Sequence, residues 1–212
     1  MTEVFFVLLE GYADWESASI AAVLNQQEGV TVKTVSNEKQ AIHSMGGFSI
    51  LPDYTFAEAC QKDFDALILI GGTSWRTDKA EAVDALVEKA QEQGAVIAAI
   101  CDATVYLGKL GLLNDHKHTS NQLQDLQDYA GEKYKGANQF VEVQAIKESN
   151  LITANGTGHL EFAREILLTL EVMTEKEVEQ WYNFFKLGYY EALKQELRTA
   201  GDTPNDQKDL LA

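Results

Sequence analysis

The sequence has few basic residues, only two cysteines and no long apolar run. Lysine and arginine together number 17, against 33 aspartates and glutamates, so the formal net charge is −16. A surface of this sign repels phosphate groups, and the composition therefore argues against nucleic acid or an anionic membrane as a partner. The two cysteines, Cys60 and Cys101, are too few for a disulfide framework.

The first apolar run, VFFVLL from Val4 to Leu9, is too short to cross a membrane. No basic region precedes this run and no small-residue cleavage site follows it. We therefore expect a cytoplasmic protein. The chain has 212 residues, of which 45% are hydrophobic, so it is long enough to bury a sizeable core as one α/β domain of the larger sort.

Apolar segments typical of buried strands alternate with amphipathic segments typical of helices. Strands are predicted at 4–9, 30–36, 64–72, 95–101 and 140–155, the last as two short strands around a turn at Glu148–Asn150. Helices are predicted at 13–27, 79–94, 103–113 and 159–173. A β-excursion at 45–56, a short strand at 117–121 and a helix or loop at 121–134 complete the pattern. This alternation predicts a three-layer α/β/α sandwich around a mostly parallel sheet.

Residues 174–197 are predicted to form one added C-terminal helix that is rich in aromatic side chains. Thr174 and Glu177 have the spacing of a capping box. The aromatic face either packs on its own domain, which we favour, or forms a dimer interface or a lid. The predicted organisation is one domain at 1–173, a helical extension of the same domain at 174–198 and a flexible tail at 199–212.

Cys101 stands between an apolar strand, AVIAAIC, and a helix, DATVYLGKLG, with no loop between them. A buried free cysteine usually packs as a small hydrophobic residue. A cysteine on a sharp strand-to-helix turn is instead exposed as a nucleophile, and the helix N-terminus favours its thiolate and lowers its pKa. The position by itself leaves both interpretations open.

Four segments appear in an order and spacing that resemble one known family. They are LEGYADWESASIAAVL, ALILIGG, AVIAAICDATVYLGKLGLL and ITANGTGHLEFAREIL. Together they resemble the ThiJ/PfpI family, within the class I glutamine amidotransferase-like superfamily, over roughly residues 4–172. The resemblance implies a flavodoxin-like fold, usually a homodimer, and a glutamate at position 16 that hydrogen-bonds the Cys101 nucleophile.

The chain departs from the family pattern at the histidines. Asp102 stands where many relatives have a histidine directly after the cysteine. Asn121 stands where others have a histidine soon after the elbow helix, and His118 lies three residues earlier. Neither usual base is in its usual place, so the protease, amidase and deglycase activities of the family do not carry over by resemblance alone.

Further site residues are predicted with an alternative for each. The backbone N–H groups of Gly72 and Asp102 form an oxyanion hole, while Gly71 and Gly72 also suit a tight turn with positive φ. His159 and Glu161 resemble the His-x-Glu pair of true glutamine amidotransferases, although a surface histidine at a helix start is commoner. Trp75 lines the pocket or packs as an ordinary aromatic. His116 and His118 have no ligand partner, so we predict neither metal nor cofactor.

Three functions remain open at this point. The favoured one is a hydrolase or amidotransferase-like enzyme that uses the Cys101 thiolate, tuned by Glu16, on a small carbonyl or amide substrate. Without a histidine, peptide hydrolysis lacks the general acid that amine departure needs. The alternatives are a non-catalytic redox or stress sensor with a reversibly oxidised cysteine, and a glutaminase-type subunit that uses Cys101, His159 and Glu161.

Overall fold

The structure, a computed structural model, describes residues 1–199. The strands are β1 Thr2–Val7, β2 Val30–Ser36, β3 Ile42–His43, β4 Ser49–Ile50, β5 Tyr54–Thr55, β6 Ala66–Leu69, β7 Val96–Ile100, β8 Ala145–Glu148 and β9 Leu151–Ala154. The helices are α1 Asp14–Asn25, α2 Phe56–Ala59, α3 Asp84–Glu92, α4 Asp102–Lys109, α5 Leu123–Ala130, α6 His159–Leu170, α7 Glu175–Leu187 and α8 Tyr189–Thr199.

Seven strands form one sheet in the order β5-β2-β1-β6-β7-β9-β8, and β3 and β4 form a separate antiparallel pair. Every neighbouring pair in the large sheet is parallel except β8 and β9. Helices flank this sheet, because crossovers between parallel strands need a connection that returns to the starting edge. The predicted flavodoxin-like α/β fold with a mostly parallel sheet is confirmed.

The sheet brings four strand ends together. All residues of β6 and β7 are buried. Their sequences, ALIL and VIAAI, are continuously apolar, which is typical of strands covered on both faces. Val7 pairs with Leu69, Leu69 with Ala99, and Ile100 with Ala154. The residues that follow β1, β6, β7 and β9 therefore meet at one edge of the sheet, where parallel α/β folds bind their ligands.

The predicted strand at 117–121 is wrong. His118 makes one isolated bridge with Phe140, and the next N–H, that of Thr119, donates to the Thr153 side chain at 2.9 Å instead of to a strand. His118 is fully buried, its Nδ1 lies 2.7 Å from the His116 carbonyl and its Nε2 lies 2.7 Å from the Tyr134 hydroxyl. Because a carbonyl only accepts, Nδ1 carries the hydrogen, and burial lowers the pKa of His118. Both ring nitrogens of this neutral histidine are thus engaged.

Two helical predictions change in detail. Residues 78–83 are a 3₁₀ helix and α3 begins only at Asp84, although the chain does turn at Gly94 with φ +71°. The segment 121–134, predicted as a helix or a loop, contains α5 and a short 3₁₀ turn at 131–133. In residues 1–199, no helix has both the length and the apolar character needed to cross a membrane.

The chain divides into two compact units, Met1–Val172 and a second that begins at Met173. The single helix predicted at 174–197 is two helices, α7 and α8, because Gly188 adopts φ +83° between them. The predicted capping box is confirmed: Thr174 N–H donates to Glu177 at 2.9 Å and Glu177 N–H donates to Thr174 at 3.3 Å. The assignment of this segment to the same domain stays a prediction. The predicted tail at 199–212 lies outside the described residues apart from Thr199.

Aromatic side chains of the second unit are exposed at the junction of its two helices. Phe184 and Phe185 of α7 and Tyr189 and Tyr190 of α8 have exposed fractions between 41% and 71%. Their rings contact one another, with centroids 5.3 to 5.8 Å apart. A role for these rings in a dimer or as a lid stays a prediction.

Candidate active site

Cys101 lies on the sharp turn between β7 and α4. Its φ of 58° and ψ of −130° put a non-glycine residue in a strained conformation, which costs of the order of 1–3 kcal/mol. The N–H of Cys101 donates to the Ala154 carbonyl at 3.0 Å, and its carbonyl accepts the Thr104 N–H at 3.0 Å. The sequence prediction of a strand-to-helix elbow is confirmed, because these bonds tie the strained residue to β9 on one side and to α4 on the other.

Glu16, in the first turn of α1, is 1% exposed beside this elbow. Its Oε2 accepts the Gly71 N–H at 2.8 Å. Its Oε1 has no hydrogen-bond partner of standard geometry among the described residues, and the Cys101 thiol is beside it. Burial raises the pKa of Glu16 from 4.5 to about 7, although the Gly71 N–H and the Cys101 thiol both act to lower it. A carboxyl group with this pKa exchanges its proton near neutrality.

Gly71 leaves room for the pair of side chains. A Cβ on Gly71 would lie 2.5 Å from Glu16 Oε2 and 2.6 Å from Cys101 Cβ. The predicted turn with positive φ at Gly71 and Gly72 is wrong, since Gly72 has an extended φ of 164° and neither glycine has a left-handed conformation. Gly72 is needed for a close approach too, because a Cβ there would lie 2.7 Å from the Gly11 carbonyl oxygen. An oxyanion-hole role for the Gly72 N–H stays a prediction.

Asn121 occupies the other side of the sulfur. Its Nδ2 donates to Cys101 Sγ at 3.2 Å, and its Oδ1 accepts the Gly156 N–H at 2.8 Å. Gly156 closes over the pair, because a Cβ there would lie 3.1 Å from Cys101 Sγ and 3.2 Å from Glu16 Oε1. The Trp15 indole N–H donates to the Gly156 carbonyl at 3.1 Å. Asn121 thus supplies a fixed N–H to the sulfur, but a carboxamide cannot take up a proton as an imidazole does.

The pKa of Cys101 is raised to about 11. Burial is the main cause of the raised pKa, and the carboxylates of Glu16 and Asp102 raise it further. The N–H groups of Asn121 and Asp102 act in the opposite direction and lower the pKa. The sequence prediction of a lowered pKa is therefore wrong: the loss of solvent around the sulfur outweighs the favourable helix N-terminus. At neutral pH the sulfur is a thiol, and its ionisation requires a proton acceptor.

Asp102 is held by an arginine. Arg76 donates to its two carboxylate oxygens from Nε at 2.8 Å and from Nη2 at 2.9 Å. The same guanidinium binds Asp125 at 2.7 and 3.1 Å and lies 3.8 Å from the ring centre of Tyr129. The two carboxylates raise the pKa of Arg76, so the group stays charged. Asp102 is consequently an ion-pair partner at the start of α4 rather than a substitute base for the missing histidine.

We expect Arg76→Gln to slow alkylation of Cys101 at pH 8 by about three- to tenfold. Without the guanidinium, the Asp102 charge faces the sulfur uncompensated and raises its pKa by roughly half to one unit. The measurement is the second-order rate with a neutral alkylating reagent in the Cys60→Ser background. The double variant Arg76→Gln/Asp102→Asn is expected to recover the parent rate, and a double variant as slow as the single one would contradict the electrostatic explanation.

Three further residues were predicted at the site, namely Trp75, His159 and Glu161. Trp75 is 3% exposed in the core, where its indole N–H donates to the Ile70 carbonyl at 2.6 Å and its ring packs on Tyr106. His159 begins α6, and its Nδ1 is buried without a hydrogen-bond partner in the described structure. Glu161 follows in the first turn of α6. The hydrogen bond that Cys101 Sγ receives from a side chain comes from Asn121, not from an imidazole.

A cavity of about 400 Å³ adjoins the site through Asn121 and Asn155. Its wall comes from two loops and the end of β9, namely Thr119, Ser120, Asn121, Gln122, Leu123, Phe140, Glu142, Val143, Gln144 and Asn155. Sequence reasoning missed most of this wall, because the loop residues carry no periodic pattern that would indicate which of them face one another. Within residues 1–199, no group of three or more His, Cys, Asp or Glu side chains is arranged to hold a metal ion.

Comparison with known proteins gives one consistent result. The model of the DJ-1/PfpI family matches residues 2–169. The chain is 38% identical over 190 residues to the uncharacterized protease YdeA of Bacillus subtilis, a match that covers 90% of this chain and 94% of YdeA. It is 34% identical over 96 residues to deglycase PfpI of Pyrococcus furiosus, which covers 45% of this chain and 58% of that protein.

A solved structure supports the same relationship. The chain is similar to the crystal structure of a ThiJ/PfpI family protein from Bacillus anthracis, with a TM-score of 0.84 and 33% identity. That similarity covers 93% of this chain and 96% of the other. The family match itself includes β1 to β9 and all but the last residue of α6, and therefore every element that holds the Cys101 and Glu16 pair.

Proposed function

Because the chain belongs to the DJ-1/PfpI family, we propose that it is an enzyme that acts on a small carbonyl compound through Cys101. The observation that carries the proposal is the buried pair of a thiol and a carboxyl group, in which Glu16 has a pKa of about 7 and Cys101 a pKa of about 11. General acid–base catalysis is most effective when the pKa of the catalytic group lies near the working pH. Glu16 meets that condition.

The proposed reaction begins with Glu16 as a carboxylate and Cys101 as a thiol. The sulfur attacks the carbonyl carbon while the thiol proton moves to Glu16, and the π electron pair of the carbonyl moves to its oxygen. Ionisation of the thiol ahead of attack is uphill, since its pKa is well above that of Glu16, so proton transfer accompanies formation of the S–C bond. The Asp102 N–H, together with the Gly72 N–H in this proposal, stabilises the negative oxygen. Glu16 then returns its proton to that oxygen, which leaves a hemithioacetal on Cys101. With glyoxal, this adduct isomerises to a thioester as the proton on the sulfur-bearing carbon moves to the neighbouring aldehyde carbon and the hydroxyl proton moves to the aldehyde oxygen. Water then cleaves the S–C bond, which releases glycolic acid and regenerates the Cys101 thiol.

The side chains present favour carbonyl addition over peptide cleavage. Addition needs one proton to move from sulfur to oxygen, and Glu16 can both take it and return it. Cleavage of an amide also needs an acid beside the leaving nitrogen, and the carboxamide of Asn121 cannot fill that role. Of the relatives, one is named a deglycase and another an uncharacterized protease. The first name fits the proposed chemistry better than the second.

Replacing Cys101 by serine is expected to reduce turnover of glyoxal to background. A serine hydroxyl is far harder to ionise than a thiol, and Glu16 with a pKa of about 7 is too weak a base to activate it. The measurement is loss of the aldehyde over time with purified protein. Cys60→Ser is the matched control and is expected to retain full activity, because Cys60 directly follows α2, which packs on β5 and β2 near one edge of the sheet, three strands from β7 and its elbow. Retained turnover in Cys101→Ser would refute the proposed function.

The two alternatives receive less support. A redox sensor depends on a thiolate at neutral pH, whereas burial and two carboxylates keep Cys101 protonated. A glutaminase depends on an imidazole that activates the cysteine, and the Cys101 sulfur is instead hydrogen-bonded by Asn121. Homodimer formation and a cytoplasmic location stay proposals, and the molar mass of the purified protein in solution tests the first of them.

A further inference from the structure

The cavity beside the site has one ionisable residue in its wall, Glu142. We propose that this cavity binds the non-reacting part of the substrate, a cationic group on a short apolar stem, and that Glu142 selects for it. The inference rests on the proposed function, since it concerns the substrate of Cys101. The volume of about 400 Å³ lies within the range of roughly 300–1,000 Å³ that is usual for small-molecule sites.

Two residues of the cavity wall lie next to the reacting site. Asn121 lines the cavity and donates to Cys101 Sγ at 3.2 Å. Asn155 lines it too, and the next residue, Gly156, lies against both Cys101 and Glu16. In this proposal, a compound whose carbonyl carbon is bound at the sulfur extends its remaining atoms past Asn121 into this cavity.

Several polar groups of the wall already have partners inside the protein. Asn155 Nδ2 donates to the Gln144 side-chain oxygen at 2.6 Å, and Thr157 Oγ1 binds the same oxygen at 3.2 Å. Thr119 Oγ1 donates to the Val143 carbonyl at 3.0 Å, and both ends of the Asn121 carboxamide are in use. The exposed Glu142 carboxylate is the charged group that this wall offers to a ligand.

Positively charged side chains are absent from the cavity wall, and the arginine beside it already forms ion pairs. No lysine, arginine or histidine is among the residues that line the cavity in the described part of the chain. Arg76 is the cation near the elbow, and it already binds the two carboxylates of Asp102 and Asp125. The Glu16 carboxylate adds to the negative potential around the sulfur. An anionic substituent is therefore repelled and a cationic one attracted.

The apolar residues of the wall are the reason for proposing an apolar stem on the ligand. Leu123, Phe140 and Val143 stand among the polar groups, and they offer contacts for methylene groups but no hydrogen bonds. A ligand that combines a few methylene groups with an ammonium or guanidinium end satisfies both the apolar surface and Glu142. A purely polar anion satisfies neither.

The test uses thiol-specific methanethiosulfonate reagents that carry either a trimethylammonium or a sulfonate group on the same two-carbon arm. Attack by the Cys101 thiolate forms a mixed disulfide and releases methanesulfinate, so the reaction places the charged arm beside the sulfur without any turnover. Rates are measured at pH 9 in the Cys60→Ser background, with the site of labelling identified by mass spectrometry. The cationic reagent is expected to react faster than the anionic one.

Glu142→Gln is expected to lower the ratio of the cationic to the anionic rate by about three- to tenfold, as loss of one nearby, partly screened charge predicts. Glu132→Gln removes an exposed carboxylate that does not line the cavity, and it is expected to leave the ratio unchanged. An unchanged ratio in Glu142→Gln, or an equal fall in Glu132→Gln, would overturn the proposal. Failure of both reagents to label Cys101 would overturn it as well, because the cavity would then not open to the sulfur.

The labelling result is independent of the proposed reaction. Turnover that persists in Cys101→Ser refutes the proposed function. The charge selectivity of the cavity is then decided by the labelling rates alone. Loss of turnover in Cys101→Ser together with an unchanged rate ratio in Glu142→Gln refutes the inference about the cavity alone.

Discussion

Turnover is expected to fall about 10²- to 10⁴-fold when Glu16 is replaced by glutamine, the usual contribution of a positioned general base. The glutamine side chain still accepts the Gly71 N–H, but it cannot take the proton of a thiol whose pKa is about 11. In the parent protein, the active form has Glu16 ionised, so kcat/KM rises as the pH rises through about 7. In Glu16→Gln this inflection is expected to be absent, and activity should increase only toward the pKa of the thiol.

The pH profile of kcat/KM between pH 5 and 10 is the measurement, with Glu28→Gln as the matched control. Glu28 is an exposed carboxylate just after α1, and its replacement is expected to leave the profile unchanged. A Glu16→Gln protein that retains the inflection near pH 7 would show that another group accepts the proton.

The same substitution is expected to change stability in a pH-dependent way. The pKa of Glu16 is higher in the folded protein, about 7, than its ordinary value of 4.5, so the folded state binds more protons than the unfolded state between these values. The stability contributed by the protonated carboxyl group is present below about pH 4.5 and is lost as the pH rises through about 7. Relative to the parent, Glu16→Gln should therefore gain up to about 3 kcal/mol in unfolding free energy between pH 4 and pH 8. Urea unfolding at the two pH values measures this gain.

Gly71→Ala is expected to lower the free energy of unfolding by about 1–3 kcal/mol or more and to abolish turnover. Its Cβ would lie 2.5 Å from Glu16 Oε2, 2.6 Å from Cys101 Cβ and 2.9 Å from the Ile100 carbonyl oxygen. The last two atoms belong to the strand end and the strained elbow, which have little freedom to move, so the carboxylate and the nucleophile separate.

Gly156→Ala is the matched comparison, because its Cβ would contact the same pair from the other side at 3.1 to 3.3 Å. These contacts are tight but need shifts of only a few tenths of an ångström, so a smaller loss of stability is expected. Urea unfolding of both variants, with the decay of glyoxal as the activity measurement, tests the order. Equal stability of Gly71→Ala and the parent would mean that β6 and the elbow adjust more readily than their packing indicates.

Much of the fold followed from local patterns. The buried strands β6 and β7 are continuous apolar runs, and β2 matches the alternating segment 30–36 residue for residue. The errors occur where a distant residue changes the local outcome. The segment 117–121 has the composition of a strand, but Thr119 N–H donates to the Thr153 side chain, which is 34 residues away.

The site was predictable to the extent that each residue is positioned by its own segment. Cys101 follows an apolar strand and precedes a helix, and Glu16 lies in the first turn of a helix after β1, so the resemblance to the ThiJ/PfpI family located both. Asn121 was identified as a departure from the family pattern, but its bond to the sulfur was not, because the sequence does not show which way a loop side chain points.

The sequence by itself determined the parallel sheet, the elbow at Cys101 and the presence of a carboxyl group at Glu16, because apolar periodicity and helix starts are properties of neighbouring residues. Only the tertiary structure decided the protonation of the pair, the clamp of Arg76 on Asp102 and the cavity beside Glu142. These depend on burial and on contacts between residues 20 to 55 positions apart. The physical reason is that a pKa is determined by the solvent and charges around a group, and folding creates that environment.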